Sequence, residues 1–333
     1  MINPLFQRLA LLATVLTLIV IVLGAWVRLT DAGLGCPDWP GCYGMVTWPS
    51  TQETIERADL VRADRAVDSG AAFREMLHRY VAGFLGLLVL GLAILAWRER
   101  ANPLQQVGLP LVLLGLIIFQ SALGMWTVTL LLKPAIVMAH LLGGMATLAL
   151  LLWMTLRAYH PEFSPSVHTR RYRWPVIIGI GLVAIQIALG GWVSTNYAAL
   201  SCADDFPTCL GQWWPEMDFR EGFVLWREVG VDYEGGILDQ PARVAIHMAH
   251  RIGAIVVVAW LGWLAYRLIR EPLLRGSGWL LAGVLATQLV LGVLNVVLGL
   301  PLAIAVAHNG VAALLIGVMV YLLHRTIPRM PGR

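Results

Sequence analysis

Four of the eight histidines in this 333-residue sequence lie within long apolar segments, where an ionisable side chain is costly and normally functional. They are His78, His140, His250 and His308. The remaining histidines in or beside polar connections, which we expect to be solvated, are His160, His168 and His324. A single histidine in an apolar helix is more simply explained by a hydrogen bond to a neighbouring helix. Two in each half of the chain, on alternate segments, favour a cofactor site.

The four histidines are expected at one depth. Three of them stand seven residues into their apolar segment, or roughly 8–11 Å at about 1.5 Å per residue, and His78 stands a few residues into its own. Neutral imidazoles suit iron, and haem iron accepts two axial histidines. The pattern therefore predicts one haem held by His78 and His140 and another held by His250 and His308. Zinc is not expected, because no thiolate or carboxylate completes a tetrahedral set at that level.

Eight apolar segments must position these side chains. Apolar residues make up 58% of the chain and charged residues 13%, whereas soluble domains carry roughly 25% charge. A helix of about 20 residues crosses a bilayer. The expected spans are 9–29, 75–97, 107–129, 134–158, 174–194, 243–268, 277–299 and 301–323. The sequence thus predicts an all-α membrane protein of eight transmembrane helices, and its net charge of +4 does not favour nucleic-acid binding.

The arginines predict the orientation, because cytoplasmic loops carry an excess of Lys and Arg. Those in alternate connections and at the C-terminal end are Arg98, Arg100, Arg157, Arg170, Arg171, Arg173, Arg267, Arg270, Arg275, Arg325, Arg329 and Arg333. We expect all of them, and both termini, on the cytoplasmic side. The long loops 30–74 and 195–242, which hold all four cysteines, then face outward, where disulfides persist.

The chain repeats itself at an offset of 166–172 residues. The recurring landmarks are Trp26 and Trp192, Cys36 and Cys202, Cys42 and Cys209, His78 and His250, Gln120 and Gln288, and His140 and His308. Four spans per copy keep both copies in one orientation, a parallel repeat. We expect two tandem four-helix bundles related by pseudo-two-fold symmetry, residues 1–165 with outer loop 30–74 and residues 166–333 with outer loop 195–242.

The copies differ beside the first histidine of each pair. Glu75, three residues before His78, is replaced by His247, three residues before His250. Residues three apart share a helix face, so Glu75 is expected to point toward the same site as His78 and could exchange protons there. The alternative is an interfacial acid paired with a neighbouring arginine. The asymmetry favours chemistry in the first half and a retained cofactor in the second.

Arg79 and Arg251 directly follow the first histidine of each pair. They could extend to the outer interface or pair with haem propionates, because a guanidinium matches a carboxylate in a bidentate way. The cysteines form two close pairs, Cys36–Cys42 and Cys202–Cys209. The simplest interpretation is two structural disulfides that hold loops above the haem pockets. The alternative is that one pair is redox-active.

Several of these motifs together resemble the haem A synthase family. They are the segment GLGCPDWPGC that ends at Cys42, Glu-x-x-His-Arg from Glu75, Met-Ala-His ending at His140, His-Arg from His250, and Ala-His-Asn around His308. The resemblance extends from about residue 9 to residue 325. Each motif alone would be weak, whereas the combination is specific.

The resemblance implies a membrane oxidoreductase of the bacterial inner membrane that oxidises the C8 methyl group of haem O to a formyl group, giving haem A for cytochrome oxidase. In that family pattern, His78 and His140 flank the substrate haem O, and His250 and His308 ligate a resident haem b. Glu75 matches the family's catalytically implicated acid. Haem O would arrive through lipid, with haem O synthase (the farnesyltransferase upstream) and an electron acceptor as expected partners.

Other interpretations remain open. One is a dihaem b-type cytochrome that transfers electrons and oxidises quinol, with Glu75 releasing the quinol protons. Another is a membrane thiol oxidoreductase that uses the outer cysteines, although it gives the four buried histidines no purpose. Glu53 and Glu56 in the first outer loop are alternative candidates for the functional carboxylate.

Overall fold

Eight long helices make up most of the computed structural model, which describes residues 2–61, 66–160 and 165–327. In chain order the helices are α1 Pro4–Leu29, α2 Gln52–Val61, α3 Ser69–Arg98, α4 Gly108–Thr129, α5 Pro134–Tyr159, α6 Val167–Arg170, α7 Arg173–Thr195, α8 Phe219–Gly222, α9 Gln240–Ile269, α10 Arg275–Val297 and α11 Leu302–Thr326. These ranges contain no β-strand, so the all-helical prediction is confirmed. Arg329 and Arg333, which contributed to the predicted orientation, lie outside the described residues.

The eight long helices match the eight predicted spans, and each is long and apolar enough to cross a bilayer. Five of them begin earlier than predicted. Helices α3, at Ser69, and α9, at Gln240, do so next to the long loops that hold the cysteines. Each is capped by an aspartate that accepts a hydrogen bond from the first-turn backbone, Asp68 at 2.9 Å and Asp239 at 3.1 Å. Such caps satisfy otherwise unpaired N–H groups. Helical structure therefore extends into what the hydropathy pattern assigned to the outer loops.

The long helices pack in the same order in both parts of the chain. Helix α1 packs against α3 and α5, and α4 packs against the same two helices. Correspondingly, α7 and α10 each pack against α9 and α11. The two groups meet where α1 contacts α11 and where α5 contacts α7 and α11. This order is the one that the sequence repeat leads us to expect, and the division at residue 165 stays a prediction.

Apolar packing joins the two groups at their centre. The larger buried cluster is built mainly from α7, α9, α10 and α11, but it also contains Ile21 of α1 and Met145 and Leu148 of α5. A second cluster fills the space among α1, α3, α4 and α5. Lipid is as apolar as these side chains, so close packing rather than exclusion of water stabilises such contacts.

Polar contacts join the groups at the ends of α1 and α7. Arg28 donates hydrogen bonds to the backbone oxygen of Ser194 at 2.6 Å and to the hydroxyl of Tyr197 at 2.9 Å. Its guanidinium carbon also lies 4.3 Å from the centre of the Tyr197 ring. The Tyr197 hydroxyl is 3.4 Å from the carboxylate of Asp31. These bonds connect the first copy of the repeat to the second.

The second outer loop also extends over the first group of helices. The N–H of Tyr233 donates to the backbone oxygen of Leu131 at 3.1 Å, and the Tyr233 side chain is buried. Burial raises the pKa of the Tyr233 phenol. Beside it the ammonium of Lys133, a residue only 1% exposed, lies 3.6 Å from the centre of the Trp226 ring, a cation–π contact. The loop thus packs on the turn between α4 and α5.

Replacing Arg28 with leucine should lower the thermal stability of the purified protein. The change removes hydrogen bonds from a charged donor, each worth about 1.5–3 kcal/mol. Arg8, an exposed arginine of the same helix, provides the control, because a surface substitution is usually worth less than about 0.5 kcal/mol. Thermal unfolding in detergent measures both variants. Equal melting temperatures for the two would show that the Arg28 contacts do not join the groups.

Candidate functional site

Each of the four site histidines, all partly buried, packs against a glycine of a neighbouring helix. The pairs are Gly24 with His78, Gly124 with His140, Gly190 with His250, and Gly292 with His308. A Cβ atom added at any of these glycines would lie 3.0–3.4 Å from Cε1 of the imidazole. The ring therefore occupies the space that a larger residue would fill. Glycine at these positions lets an imidazole fit between two helices in contact.

The histidines form two pairs. His78 on α3 reaches α1, and His140 on α5 reaches α4, so both rings lie within the group formed by these four helices. Correspondingly, His250 on α9 reaches α7, and His308 on α11 reaches α10. The structure thus brings together the two members of each pair that the sequence predicted.

Three glutamines contact the histidines, a role that the sequence pattern did not predict. The Gln120 amide donates to the backbone oxygen of His140 at 2.8 Å. Gln186 contacts both the ring and the backbone of His250, and Gln288 lies 3.2 Å from Nε2 of His308. A glutamine within an apolar span could have indicated these contacts, because such amides normally face other helices rather than lipid.

Glu75 is buried and faces the first cysteine loop. Its Oε1 pairs with the guanidinium of Arg79 at 2.5 Å, and its Oε2 accepts a hydrogen bond from the backbone N–H of Cys36 at 2.9 Å. A carboxylate can be buried when it is paired and hydrogen-bonded in this way. The predicted interfacial pairing with an arginine is therefore present, three residues from His78. His247, the counterpart in the second copy, contacts the backbone oxygen of Ala198 at 3.0 Å.

Arg79 and Arg251 hold the cysteine loops against the helices. Arg79 donates to the backbone oxygens of Gly41 at 2.5 Å and Asp38 at 2.9 Å. Arg251 donates to those of Thr208 at 2.8 Å and Asp205 at 2.9 Å. Each loop is thereby fixed above the first histidine of its pair. The predicted pairing with haem propionates is a separate role that these contacts do not test.

The two cysteine loops have the same construction. Disulfides join Cys36 to Cys42 and Cys202 to Cys209. All four cysteines are fully buried. Within each loop an aspartate accepts hydrogen bonds from the residues that follow: Asp38 from the N–H groups of Tyr43 and Gly44, and Asp205 from the Thr208 hydroxyl and the Gly211 N–H. The bond from Thr208, and then that from Gly211, lowers the pKa of Asp205.

The histidine pairs fit haem better than a metal ion held by the protein alone. Among the described residues, no group of three or more His, Cys, Asp or Glu side chains could hold an ion. A haem iron already has its ring nitrogens and needs only two axial imidazoles. Nδ1 of His78, His140 and His308 is buried and has no hydrogen-bond partner among the described residues. Buried polar atoms without a partner are unusual, so the protein alone leaves these three imidazoles incompletely satisfied.

Comparison with known proteins identifies the family of this chain. The cytochrome oxidase assembly protein family (COX15-CtaA) matches residues 7–320. A protein named Heme A synthase from Shewanella oneidensis is 45% identical over 303 residues, which are 91% of each chain. Proteins of the same name from Halalkalibacterium halodurans and Rhizorhabdus wittichii are 26% and 25% identical and also match more than nine-tenths of each chain.

The match spans all eight membrane helices and both cysteine loops. Eight apolar helices in a member of this family indicate a multi-pass membrane protein. The chain belongs to the cytochrome oxidase assembly protein family, and within that family it is a member of the haem A synthases.

Proposed function

We propose that this protein is an oxidoreductase that converts haem O to haem A by oxidising the C8 methyl group to a formyl group. The observation that carries the proposal is the presence of two histidine pairs within the helix bundles, in unlike surroundings. A buried carboxylate, Glu75, lies beside the first pair, whereas His247 replaces it beside the second. The relatives named Heme A synthase, which match nearly the whole chain, support the same activity.

The two pairs have different roles in this proposal. His78 and His140 hold the substrate haem O, and His250 and His308 hold haem b. Haem b, when bound, supplies a one-electron redox centre. The glycines packed on the four imidazoles restrict the rings and so orient the ligand atoms. The same contacts fill the space beside Cε1 of each ring.

Glu75 is proposed to hold or move a proton during oxidation. Conversion of a methyl to a formyl group adds one oxygen atom. With water as its source, the reaction R–CH3 + H2O → R–CHO + 4 H+ + 4 e− releases four protons and four electrons, so the site needs a group that accepts protons. The Glu75 carboxylate is fixed by Arg79 and by the Cys36 N–H, and both anchors lie on the side of the cysteine loop. A proton taken up by Glu75 would leave toward that loop. The electrons require an acceptor, which we expect to be a separate partner.

Arg251 is proposed to pair with a haem propionate in addition to holding its loop. Two of its terminal nitrogens are occupied by backbone oxygens, but its Nε is buried and has no hydrogen-bond partner among the described residues. Arginine offers five N–H donors, so loop anchoring and carboxylate binding are compatible. Arg79 has the equivalent position in the first half, and we propose the same role for it toward haem O.

The cellular arrangement follows from the arginine distribution. We propose that the protein lies in the bacterial cytoplasmic membrane with both termini in the cytoplasm and both cysteine loops on the outer side, in accord with the positive-inside rule. Haem O carries a long apolar tail and is expected to enter from lipid. Haem O synthase, which makes this substrate, is the partner expected to supply it.

Replacing the histidines should separate the two haem sites. His78→Ala or His140→Ala should abolish haem A formation while haem b remains bound, because only the substrate pair is broken. His250→Ala or His308→Ala should lose haem b. Extraction and chromatography of the pigments from variants made in a haem O-producing host measure both effects. Two haem b molecules per chain, with no haem O or haem A, would instead favour the dihaem electron-transfer cytochrome.

Glu75→Gln should slow haem A formation by about 100-fold or more, because general acid–base catalysis typically contributes 10²–10⁴-fold. The amide keeps the size of the side chain and can still accept from the Cys36 N–H, so the pigments should remain bound. His247→Gln, at the matched position of the second copy, should leave the rate within a few-fold. Full activity of the Glu75 variant would move the role to another acid, such as Glu53 or Glu56.

The disulfides should differ in their effect on turnover. Changing Cys36 and Cys42 to serine frees the loop that donates to Glu75, so we expect lower turnover together with a loss of about 2–4 kcal/mol of stability. The Cys202 and Cys209 double variant is the matched control, because it removes the same bond without a contact to Glu75. Thermal unfolding and haem A yield measure the two effects. Dithiol oxidation that disappears in the first variant would favour the thiol oxidoreductase interpretation.

A further inference from the structure

The ligand pairs differ in one contact that the sequence repeat does not predict. Nε2 of Gln186, on α7, lies 3.0 Å from Nδ1 of His250 and 2.9 Å from the His250 backbone oxygen. Of the four site histidines, His250 alone has a hydrogen-bond partner at Nδ1 within the described ranges. Its ring is therefore held from two sides, by the Gln186 amide and by Gly190 packed on Cε1.

A second residue makes room for this amide. Gly253 follows His250 by three residues and so lies on nearly the same face of α9. A Cβ atom at Gly253 would lie 2.3 Å from Oε1 of Gln186, a distance that real side chains do not allow. Any larger residue at 253 would expel the glutamine from its position. The contact with His250 thus depends on two residues acting together.

Both residues are changed in the first copy of the repeat. With the offset of 166 that relates Gly24 to Gly190, Gln186 corresponds to Val20. With the offset of 172 that relates His78 to His250, Gly253 corresponds to Val81. Valine has no hydrogen-bonding group, and Nδ1 of His78 has no partner in the described part of the chain. The amide and the space for it are therefore both absent beside His78.

The chemistry of axial ligation gives this difference a meaning. An imidazole that binds iron through Nε2 carries its proton on Nδ1, and a group that accepts this proton fixes the ring and makes it a stronger ligand. Oε1 of Gln186 has no hydrogen-bond partner among the described residues. Rotation of the amide exchanges the bond to the His250 backbone oxygen for one from Nδ1–H to Oε1. Within the described ranges, Nδ1 of His78 has no such acceptor.

We propose that Gln186 is a positioning residue that makes His250 the fixed ligand of a retained haem. The absence of this residue beside His78 makes the first site the one from which haem is exchanged. This inference rests on the proposed function, in which one haem stays and the other enters as substrate and leaves as product. It explains why haem stays bound at the second histidine pair and is exchanged at the first, although the two pairs are chemically similar.

The first experiment replaces Gln186 in the haem-loaded, full-length protein. Gln186→Met keeps the length of the side chain and removes the hydrogen bond, and Gln186→Glu keeps an acceptor. Haem b release is followed by transfer to excess apomyoglobin, and the midpoint potential of the haem b is measured by redox titration. Loss of such a contact typically weakens metal binding 10–100-fold, so the methionine variant should release haem b faster by about that factor.

The midpoint potential separates positioning from a merely structural role. A less basic imidazole stabilises ferric iron less, so the potential should rise in Gln186→Met and fall below the wild-type value in Gln186→Glu. A structural role, in which the amide only ties α7 to α9 through the His250 backbone, would change thermal stability and leave the potential in place. Wild-type haem release and potential in the methionine variant would overturn the proposal.

The reciprocal experiment places the amide in the first copy and does not depend on how the Gln186 variants fold. Val20→Gln combined with Val81→Gly should slow haem release from the site of His78 by a factor similar to that lost in Gln186→Met. Val20→Met with Val81→Gly is the matched control, with the same space but no amide. Equal release from these two double variants would contradict the proposal. A wild-type protein that retains haem b but makes no haem A would refute the proposed function, and the release rates would still test Gln186.

Discussion

Each site imidazole lies between two packed helices at a point where one of them has a glycine, and this close approach is the contact on which the rest of the structure depends. It is made four times, by glycines on α1, α4, α7 and α10 that face histidines on α3, α5, α9 and α11. Each contact fixes the local spacing of two helices as well as the position of one ring. The four glycine–histidine contacts therefore determine both how the helices pack and where the histidines lie.

On this common frame the two copies differ in the groups around the first histidine of each pair. The first copy has a buried carboxylate, Glu75, that is tied to the cysteine loop through Cys36. The second has His247 at that position and an amide, Gln186, at the ring. Both copies therefore have the same pair of histidines, and the side chains around these histidines make the two sites different. Such differences lie in residues that touch the ligands and not in the ligands themselves.

The sequence was sufficient for the elements and for grouping the four histidines in two pairs, because apolar length and a repeated offset are long-range signals that need no geometry. The eight spans, the all-helical class and both cysteine pairs agree with the structure. The helix starts were predicted too late, since Asp68 and Asp239 act as caps that hydropathy does not register. The glycine contacts and Gln186 could not be predicted, because the side on which a helix meets its neighbour depends on packing. The anchoring of Arg79 by backbone oxygens was hidden for the same reason.

Contacts between the second long loop and the turn before α5 show that the two copies of the repeat are not independent. Lys133 lies under Trp226, and the backbone of Tyr233 is bonded to Leu131, so a loop encoded in the second copy completes the surface of the first. The two groups of helices are consequently not interchangeable modules, and neither could be excised without exposing the surface that the other covers. A substitution in the second long loop that breaks these contacts would therefore alter the start of α5, the helix that carries His140 of the first copy.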